Sequence, residues 1–277
     1  MKYSYLLFPK FLDKCITLSY DDGVVEDKLL CDIMLQHGLK GTFNLNSGQF
    51  GKTKEDGRLT QKEVLELYNN KNFEVALHGS RHLDLTSVST SVASLDVLQD
   101  KLRQEKLFNR VIYGMAYAFG TYNDSVINVL QNCGVKYSRT INSTNNFDLP
   151  TNFLTWHPTC HHNSPKLLEL LKEFFKSEKS HIHCLNHPKL FYLWGHSYEF
   201  KDNNNWHVIK EFASIAGGRE DVWYATNVEI YNYVTAFKNL QFSMQENLVY
   251  NPSGIDVYLN VNGIKVVAKK GKTIKIK

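Results

Sequence analysis

The sequence predicts an α/β protein: a distorted parallel (β/α) barrel of seven or eight strands, followed by a small C-terminal β appendage. Short segments rich in β-branched and aromatic residues recur between residues 15 and 226, and amphipathic segments separate them. The 277-residue chain has the length of a single barrel, and its 43% hydrophobic residues can form a large core. This alternation favours a closed parallel barrel, and an open doubly wound sheet is the alternative.

Eight strands and four helices are predicted from these patterns. The predicted strands cover residues 15–20, 41–46, 73–78, 111–117, 135–141, 153–159, 190–196 and 222–226. The predicted helices cover residues 26–38, 60–68, 123–134 and 227–237. Thr60 and Glu63 have the spacing of a capping box, and Gly38 and Gly134 are typical helix ends.

The C-terminal segment has a different pattern. Val257, Leu259 and Val261 alternate with polar residues, and a second alternating segment follows the dipeptide Asn262-Gly263. Asn-Gly between two alternating segments is a strong β-hairpin signal. We therefore predict a barrel domain over residues 1–240 and a β-hairpin appendage over residues 241–277.

Composition and charge exclude several classes of function. The net charge is only +4 and no Lys/Arg cluster is present, so nucleic acid is not an expected partner. The five cysteines do not form a CxxC pair, which disfavours a disulfide framework or a cysteine-based zinc site. The apolar segment after Lys2 is too short for a signal peptide or a membrane anchor, so we expect a cytoplasmic protein without a membrane segment. The sequence does not indicate an oligomeric state.

Reactive side chains follow several of the predicted strands. Asp21 and Asp22 follow the first strand, His78 and His82 follow the third, and His196 ends the seventh. In parallel barrels the carboxyl ends of the strands share one face, where catalytic residues lie. Two histidines four residues apart can reach one metal ion if they lie on a helical turn. Two histidines and one aspartate suit zinc, with cobalt or nickel as alternatives, and they leave a position open for water.

Two motifs carry a resemblance to a known family. The segments "TLSYDDG" (17–23) and "HGSRH" (78–82), with the order of the later elements, resemble the polysaccharide deacetylases of carbohydrate esterase family 4 over roughly residues 12–238. The resemblance implies a distorted parallel barrel that removes N- or O-acetyl groups from sugars with a divalent metal. It implies that Asp21 is the catalytic base and that Asp22, His78 and His82 are the metal ligands.

The sequence departs from the family pattern at two motifs. Gly79 stands where the family usually has Ser or Thr, and Ala116-Tyr117-Ala118-Phe119-Gly120 replaces Arg-Pro-Pro-Tyr-Gly. The arginine that would orient the catalytic aspartate is therefore missing from the motif. Arg139, one predicted strand further on, is a candidate replacement, and a structural ion pair is its alternative role.

Three aromatic residues are candidate substrate-binding residues. We expect Phe119 to act through its backbone N–H as an oxyanion donor and Tyr117 to lie beside it. Trp156 is expected either in the core or as a wall of the acetyl pocket.

The general acid is expected in the last family motif, a short apolar strand that ends in histidine. His196 closes the uninterrupted strand "LFYLW" and is our choice, whereas His183 and His187 are alternatives in a less regular segment. His157, His161 and His162 are a less favoured candidate for a second metal site, because a loop containing proline is not a rigid frame for ligands.

The resemblance thus predicts a metal-dependent hydrolase that removes acetyl groups, chiefly N-acetyl, from a carbohydrate. One alternative is a metal-dependent amidohydrolase that acts on a non-sugar amide. A catalytically impaired barrel that binds glycan is the other alternative, and the retained Asp21 argues against it because a binding protein needs no base.

Overall fold

The computed structural model describes residues 4–51, 57–176, 188–245 and 247–276. Over these residues the strands are β1 (Ser4–Leu7), β2 (Lys14–Asp21), β3 (Gly41–Leu45), β4 (Phe73–Leu77), β5 (Gly114–Ala116), β6 (Tyr137–Arg139), β7 (Cys160–His161), β8 (Lys189–Gly195), β9 (Val222–Tyr224), β10 (Gln241–Phe242), β11 (Leu248–Tyr250), β12 (Val257–Val261), β13 (Ile264–Ala268) and β14 (Thr273–Lys275). The α-helices are α1 (Asp27–Gln36), α2 (Gln61–Tyr68), α3 (Thr90–Phe108), α4 (Asp124–Asn132), α5 (Leu167–Phe175), α6 (Tyr198–Asp202), α7 (Trp206–Ala216) and α8 (Asn227–Lys238).

The central sheet is parallel and has the strand order β6-β5-β4-β3-β2-β8-β7. Strand β9 pairs with the first residues of β2. It lies on the same side of β2 as β3, which pairs with the last residues of β2. Strands β2, β3 and β4 are buried almost throughout, because helices cover the outer face of the sheet while the inner face lines the barrel.

The segment that contains β7 joins the two edges of this sheet. The backbone N–H of Trp156 donates to the Ser138 carbonyl beside β6, and the N–H of Thr159 donates to the Tyr192 carbonyl of β8. The sheet therefore curls into a distorted barrel, which confirms the predicted fold class. The strand predicted over 153–159 differs, since Phe153–Thr155 forms a 3₁₀ turn and regular pairing begins only at Cys160.

The predicted helices form close to their expected bounds. Helix α2 begins at a capping box, in which the Thr60 hydroxyl accepts from the Glu63 N–H and the Glu63 carboxylate accepts from the Thr60 N–H. The 19-residue α3 was not among the predicted helices. Its buried polar residues Asp96, Asp100 and Gln104 face the loops at the carboxyl ends of β3 and β4.

The C-terminal segment adds two small antiparallel sheets, in agreement with the predicted β appendage. Strands β12 and β13 form the predicted hairpin, and Asn262 and Gly263 adopt the positive φ angles that its turn requires. Strand β1 pairs with β12, so residues 4–7 lie in an appended sheet although the sequence division assigned them to the barrel domain. Within the described ranges, no helix is long and apolar enough to cross a membrane.

Candidate active site

The side chains that follow the barrel strands meet at one mouth of the barrel. Asp21 ends β2, and its Oδ2 lies 3.8 Å from Nε2 of His78, after β4, and 3.8 Å from Nε2 of His196, after β8. Arg139 ends β6, and its guanidinium contacts the same carboxylate oxygen. Asp21 is only 2% exposed, so this contact is a buried ion pair. The structure therefore brings the predicted base, the predicted acid and the proposed replacement arginine together.

The surroundings of Asp21 favour its ionised form. Burial alone would raise the pKa of this carboxyl group, but the charge of Arg139, followed by those of His78 and His196, holds the pKa at about 2. Asn44 on the neighbouring strand β3 donates a hydrogen bond to Oδ1 at 2.8 Å. Asn44 was not identified from the sequence; its signal is a polar side chain near the end of a buried strand.

Asp22, His78 and His82 form a compact group of candidate metal ligands. Their ligand atoms lie within 4.8 Å of one another, and Nε2 of His82 is 3.9 Å from Oδ1 of Asp22. Nδ1 of His78 lies 2.8 Å from the Ala116 carbonyl oxygen, which can only accept, so Nδ1 carries the proton and Nε2 is the nitrogen available to a metal. Two imidazole nitrogens and one carboxylate oxygen fit a divalent transition metal.

The loop that carries the two histidines is a tight turn and not the helical turn expected from their spacing. Gly79 has a φ of +81° and His82 a φ of 55°, yet the two histidine rings lie 4.7 Å apart. Two acidic residues of α3 hold the loop: Asp100 accepts from the His78 N–H and Asp96 from the Arg81 N–H. Left-handed backbone at a non-glycine residue is strained and is typical of functional sites.

The same loop explains one departure from the family pattern. A Cβ atom at Gly79 would lie 2.9 Å from Oδ2 of Asp96, and its φ angle disfavours any L side chain. Serine or threonine therefore does not fit this position without a shift of Asp96. The hydroxyl group of Ser80, the following residue, instead accepts a hydrogen bond from Arg103.

Arg58 is a second cation that the sequence did not indicate. Its Nη1 lies 3.2 Å from Oδ1 of Asp22 and also contacts the Asp22 backbone carbonyl. Arg58 comes from the segment before α2 and is partly exposed, so its contact with the site depends on chain packing and not on a local motif. It balances the charge of the second aspartate, as Arg139 balances that of the first.

His196 is held by Glu199, another residue that sequence reasoning missed. Nδ1 of His196 lies 3.3 Å from Oε1 of Glu199, which directs Nε2 towards Asp21. Burial acts to lower the pKa of His196, but the hydrogen bond to Glu199 and the charge of Asp21 outweigh it, so the pKa is raised. His196 is thus suited to carry a proton near neutral pH.

Two further histidines contact Glu199. Nε2 of His161 and Nε2 of His162 lie 3.1 and 2.9 Å from its Oε2. Nδ1 of His161 accepts a hydrogen bond from the Asn163 backbone N–H, so in the neutral ring Nε2 must carry the proton and direct it to Glu199. This geometry favours a hydrogen-bonded network over a metal site at His161, His196 and Glu199. His157, the third member of the less favoured second site, contacts the Thr140 hydroxyl group instead.

Part of the chain matches a known protein family. Residues 9–138 match the family model described as polysaccharide deacetylase. Over these residues the chain is similar to the polysaccharide deacetylases. The match confirms the resemblance recognised from the two sequence motifs. No curated protein matches the sequence.

Two solved structures share the fold. The Streptococcus pyogenes deacetylase PplD, solved in complex with acetate, is 21% identical with a TM-score of 0.50; the match covers 57% of this chain and 69% of that one. A mutant of a Bacillus anthracis CE4 family pseudoenzyme with restored enzymatic activity is 16% identical with a TM-score of 0.50 and covers 82% and 70%. At these identities the comparisons show the polysaccharide deacetylase fold alone.

The three predicted substrate-binding residues comprise one surface residue and two core residues. Phe119 is 60% exposed, has a φ of 59° and places its ring 4.6 Å from that of His82. Tyr117 is 1% exposed and donates its hydroxyl proton to the Leu154 carbonyl. Trp156 is also 1% exposed and packs against aromatic rings of the core. Because Tyr117 and Trp156 are buried, neither side chain is exposed for the predicted contact with substrate. Trp156 lies in the core, which is the first of the two positions expected for it.

The alternative general acids were His183 and His187. Both lie outside the residues that the structure describes. His196 therefore remains the candidate acid on the geometry at the barrel mouth.

Proposed function

We propose that the protein is a metal-dependent deacetylase that removes N-acetyl groups from a carbohydrate. The observation that carries this proposal is the arrangement around Asp21: a buried carboxylate, paired with Arg139, lies between a candidate metal ligand set and His196. The match of residues 9–138 to the polysaccharide deacetylase family model supports the same chemistry.

Asp22, His78 and His82 are the residues that would hold the metal. A bound divalent ion would polarise the acetyl carbonyl and lower the pKa of water, and we propose zinc, with cobalt or nickel as alternatives. The protonated Nδ1 of His78 fixes its ring, because the Ala116 carbonyl accepts that proton.

Asp21 is placed to act as the general base. Its carboxylate is ionised well below neutral pH and can accept a proton from the attacking water. Arg139 fixes the orientation of this carboxylate, a role that an arginine of the third motif has in the family. We therefore propose that Arg139, on the strand next to that motif, replaces the missing residue.

His196 is placed to act as the general acid. Amide hydrolysis needs a proton on the departing nitrogen, because an amide anion is a poor leaving group. Glu199 holds Nδ1 of His196, so Nε2 is the nitrogen directed towards Asp21 and available to donate a proton. Phe119, exposed beside His82, is the proposed oxyanion donor through its backbone N–H.

The decisive experiment measures acetate release. Protein stripped with a chelator and reloaded separately with zinc, cobalt or nickel would be incubated with N-acetylated and O-acetylated oligosaccharides and with a simple acetamide. We expect metal-dependent release from the N-acetylated sugar, reduced on the order of a hundredfold in Asp21→Asn.

Two outcomes would contradict the proposal. Release from the acetamide alone would favour the amidohydrolase that acts on a non-sugar amide. Glycan binding without acetate release, from protein with metal bound, would favour the impaired glycan-binding barrel.

A further inference from the structure

The turn that carries His196 is bonded to the first turn of α1. The hydroxyl group of Ser197 donates a hydrogen bond to Oδ1 of Asp27 at 2.5 Å, and both residues are fully buried. A second contact joins the same two segments at the surface, where Nζ of Lys201 lies 2.8 Å from Oε1 of Glu26. The segment from Ser197 to Lys201 is therefore attached to the start of α1 at two points.

Asp27 is itself fixed from a third element. The hydroxyl group of Tyr68, at the end of α2, donates to Oδ2 of Asp27 at 2.6 Å. Each carboxyl oxygen thus has one hydroxyl partner, and the two partners come from different elements. Burying a carboxyl group is costly, and burial raises the pKa of Asp27 to about 7 against the opposing hydrogen bonds from Ser197 and Tyr68.

The bond joins the two segments that carry the proposed base and the proposed acid. Asp21 and Asp22 immediately precede the loop that leads into α1, and His196 immediately precedes Ser197. The base and the acid lie 3.8 Å apart at their nearest atoms, Oδ2 of Asp21 and Nε2 of His196. That separation depends on how the loop before α1 sits against the turn before α6.

We propose that Asp27 and Ser197 are positioning residues that set the place of His196 relative to Asp21. This inference rests on the proposed function, since it assigns them to the proton-donating half of the same reaction. A displacement of about 1 Å at a catalytic group can lower a rate on the order of a hundredfold. Loss of the bond therefore impairs proton donation to the leaving group more than the metal or the base.

The experiment compares the rates of two variants with two substrates. Ser197→Ala and Asp27→Ala each remove the bond, and acetate release is measured with an N-acetylated sugar and with an activated acetyl ester, whose leaving group needs no proton. We expect kcat for the amide to fall about tenfold to a hundredfold while kcat for the ester changes less than about twofold. Metal content should stay at the wild-type level.

The conservative substitution Asp27→Asn tests whether the effect passes through this bond. The amide oxygen can still accept from Ser197 while the amide nitrogen faces the Tyr68 oxygen, so the amide rate should be largely restored. Combining Asp27→Ala with Ser197→Ala should cost the amide reaction no more than either change alone.

Glu74→Gln is the matched control. Glu74 is another buried carboxyl group, it accepts a hydrogen bond from the hydroxyl group of Tyr137, and it lies away from the proposed active site. It should leave the ratio of amide to ester rates unchanged. Equal loss of both activities in Ser197→Ala, or a ratio that shifts as much in Glu74→Gln, would overturn the positioning role. An inactive wild-type protein with metal bound would instead count against the proposed function.

Discussion

Replacing Arg139 by methionine should move the acidic limb of the pH–rate profile upward. Methionine keeps an apolar chain of similar length but removes the guanidinium that contacts Asp21 and lies 4.3 Å from the centre of the Trp194 ring. Asp21 would keep its burial, which raises the pKa of a carboxyl group, and lose the largest opposing influence. The proposed base would then be protonated at a pH where Asp21 of the wild-type protein is ionised.

The expected size of the shift follows from the buried ion pair. Removing one partner of such a pair costs about 3–5 kcal/mol, and one pKa unit corresponds to about 1.4 kcal/mol. The pKa of Asp21 should therefore rise by about 2–4 units from its value of about 2, to roughly 4–6. Because His78 and His196 remain beside the carboxylate, the rise in the pKa of Asp21 should lie towards the lower end of this range.

The assay is kcat/KM for acetate release between about pH 4 and pH 9, which reports the ionisation of groups in the free enzyme. Elemental analysis of both proteins shows whether metal binding is unchanged, as we expect because Arg139 contacts Asp21 and not the proposed ligand Asp22. Arg139→Lys is the matched control, since it keeps a cation and should shift the limb less. An acidic limb that does not move in Arg139→Met would refute the link between the guanidinium and the base and leave Arg139 with a structural role.

Three further predictions concern the metal, the acid and stability. His78→Ala should lower bound metal at least about tenfold while circular dichroism shows a folded protein, and full metal occupancy would exclude it as a ligand. His196→Ala should keep its metal and lose on the order of a hundredfold in kcat for an amide, with a smaller loss for an activated ester; equal losses would contradict its role as acid. Burial raises the pKa of Glu74 from 4.5 to about 7, so the folded state binds more protons than the unfolded state between these values and stability falls as pH rises through them. Glu74→Gln should remove about 3 kcal/mol or less of this fall, measured by denaturant unfolding at pH 4.5 and pH 7, and an unchanged slope would show that the carboxyl group does not titrate there.

Patterns that are local in the chain were visible in the sequence. The alternation of apolar strands and amphipathic helices indicated the parallel barrel, and the Thr60 to Glu63 spacing indicated the start of α2. The pair Asp21-Asp22 and the spacing of His78 and His82 indicated a candidate metal site before any fold was known. Each of these signals lies within a few residues, so local backbone geometry is enough to relate its members.

Contacts across the barrel were decided by the tertiary structure. Arg139 lies 118 residues from Asp21 in sequence, and β6 is four positions from β2 in the sheet order. Only the curl of the sheet brings the ends of these two strands across the mouth, so the sequence could offer Arg139 as a candidate but could not show the contact. The burial of Trp156 has the same origin, since the segment that joins the barrel edges turns this ring inward.

Motif spacing by itself thus determined the kind of chemistry that this chain can carry, through the aspartate pair and the two histidines. The tertiary structure alone decided which charged side chains lie beside the candidate site residues. Arg58 lies beside Asp22, and Glu199 lies beside His196. The physical reason is that electrostatic support acts over a few ångströms in space, and its sources need no regular separation in sequence. Strand order, sheet curvature and helix packing set those distances, and none of the three can be inferred from a single segment of the sequence.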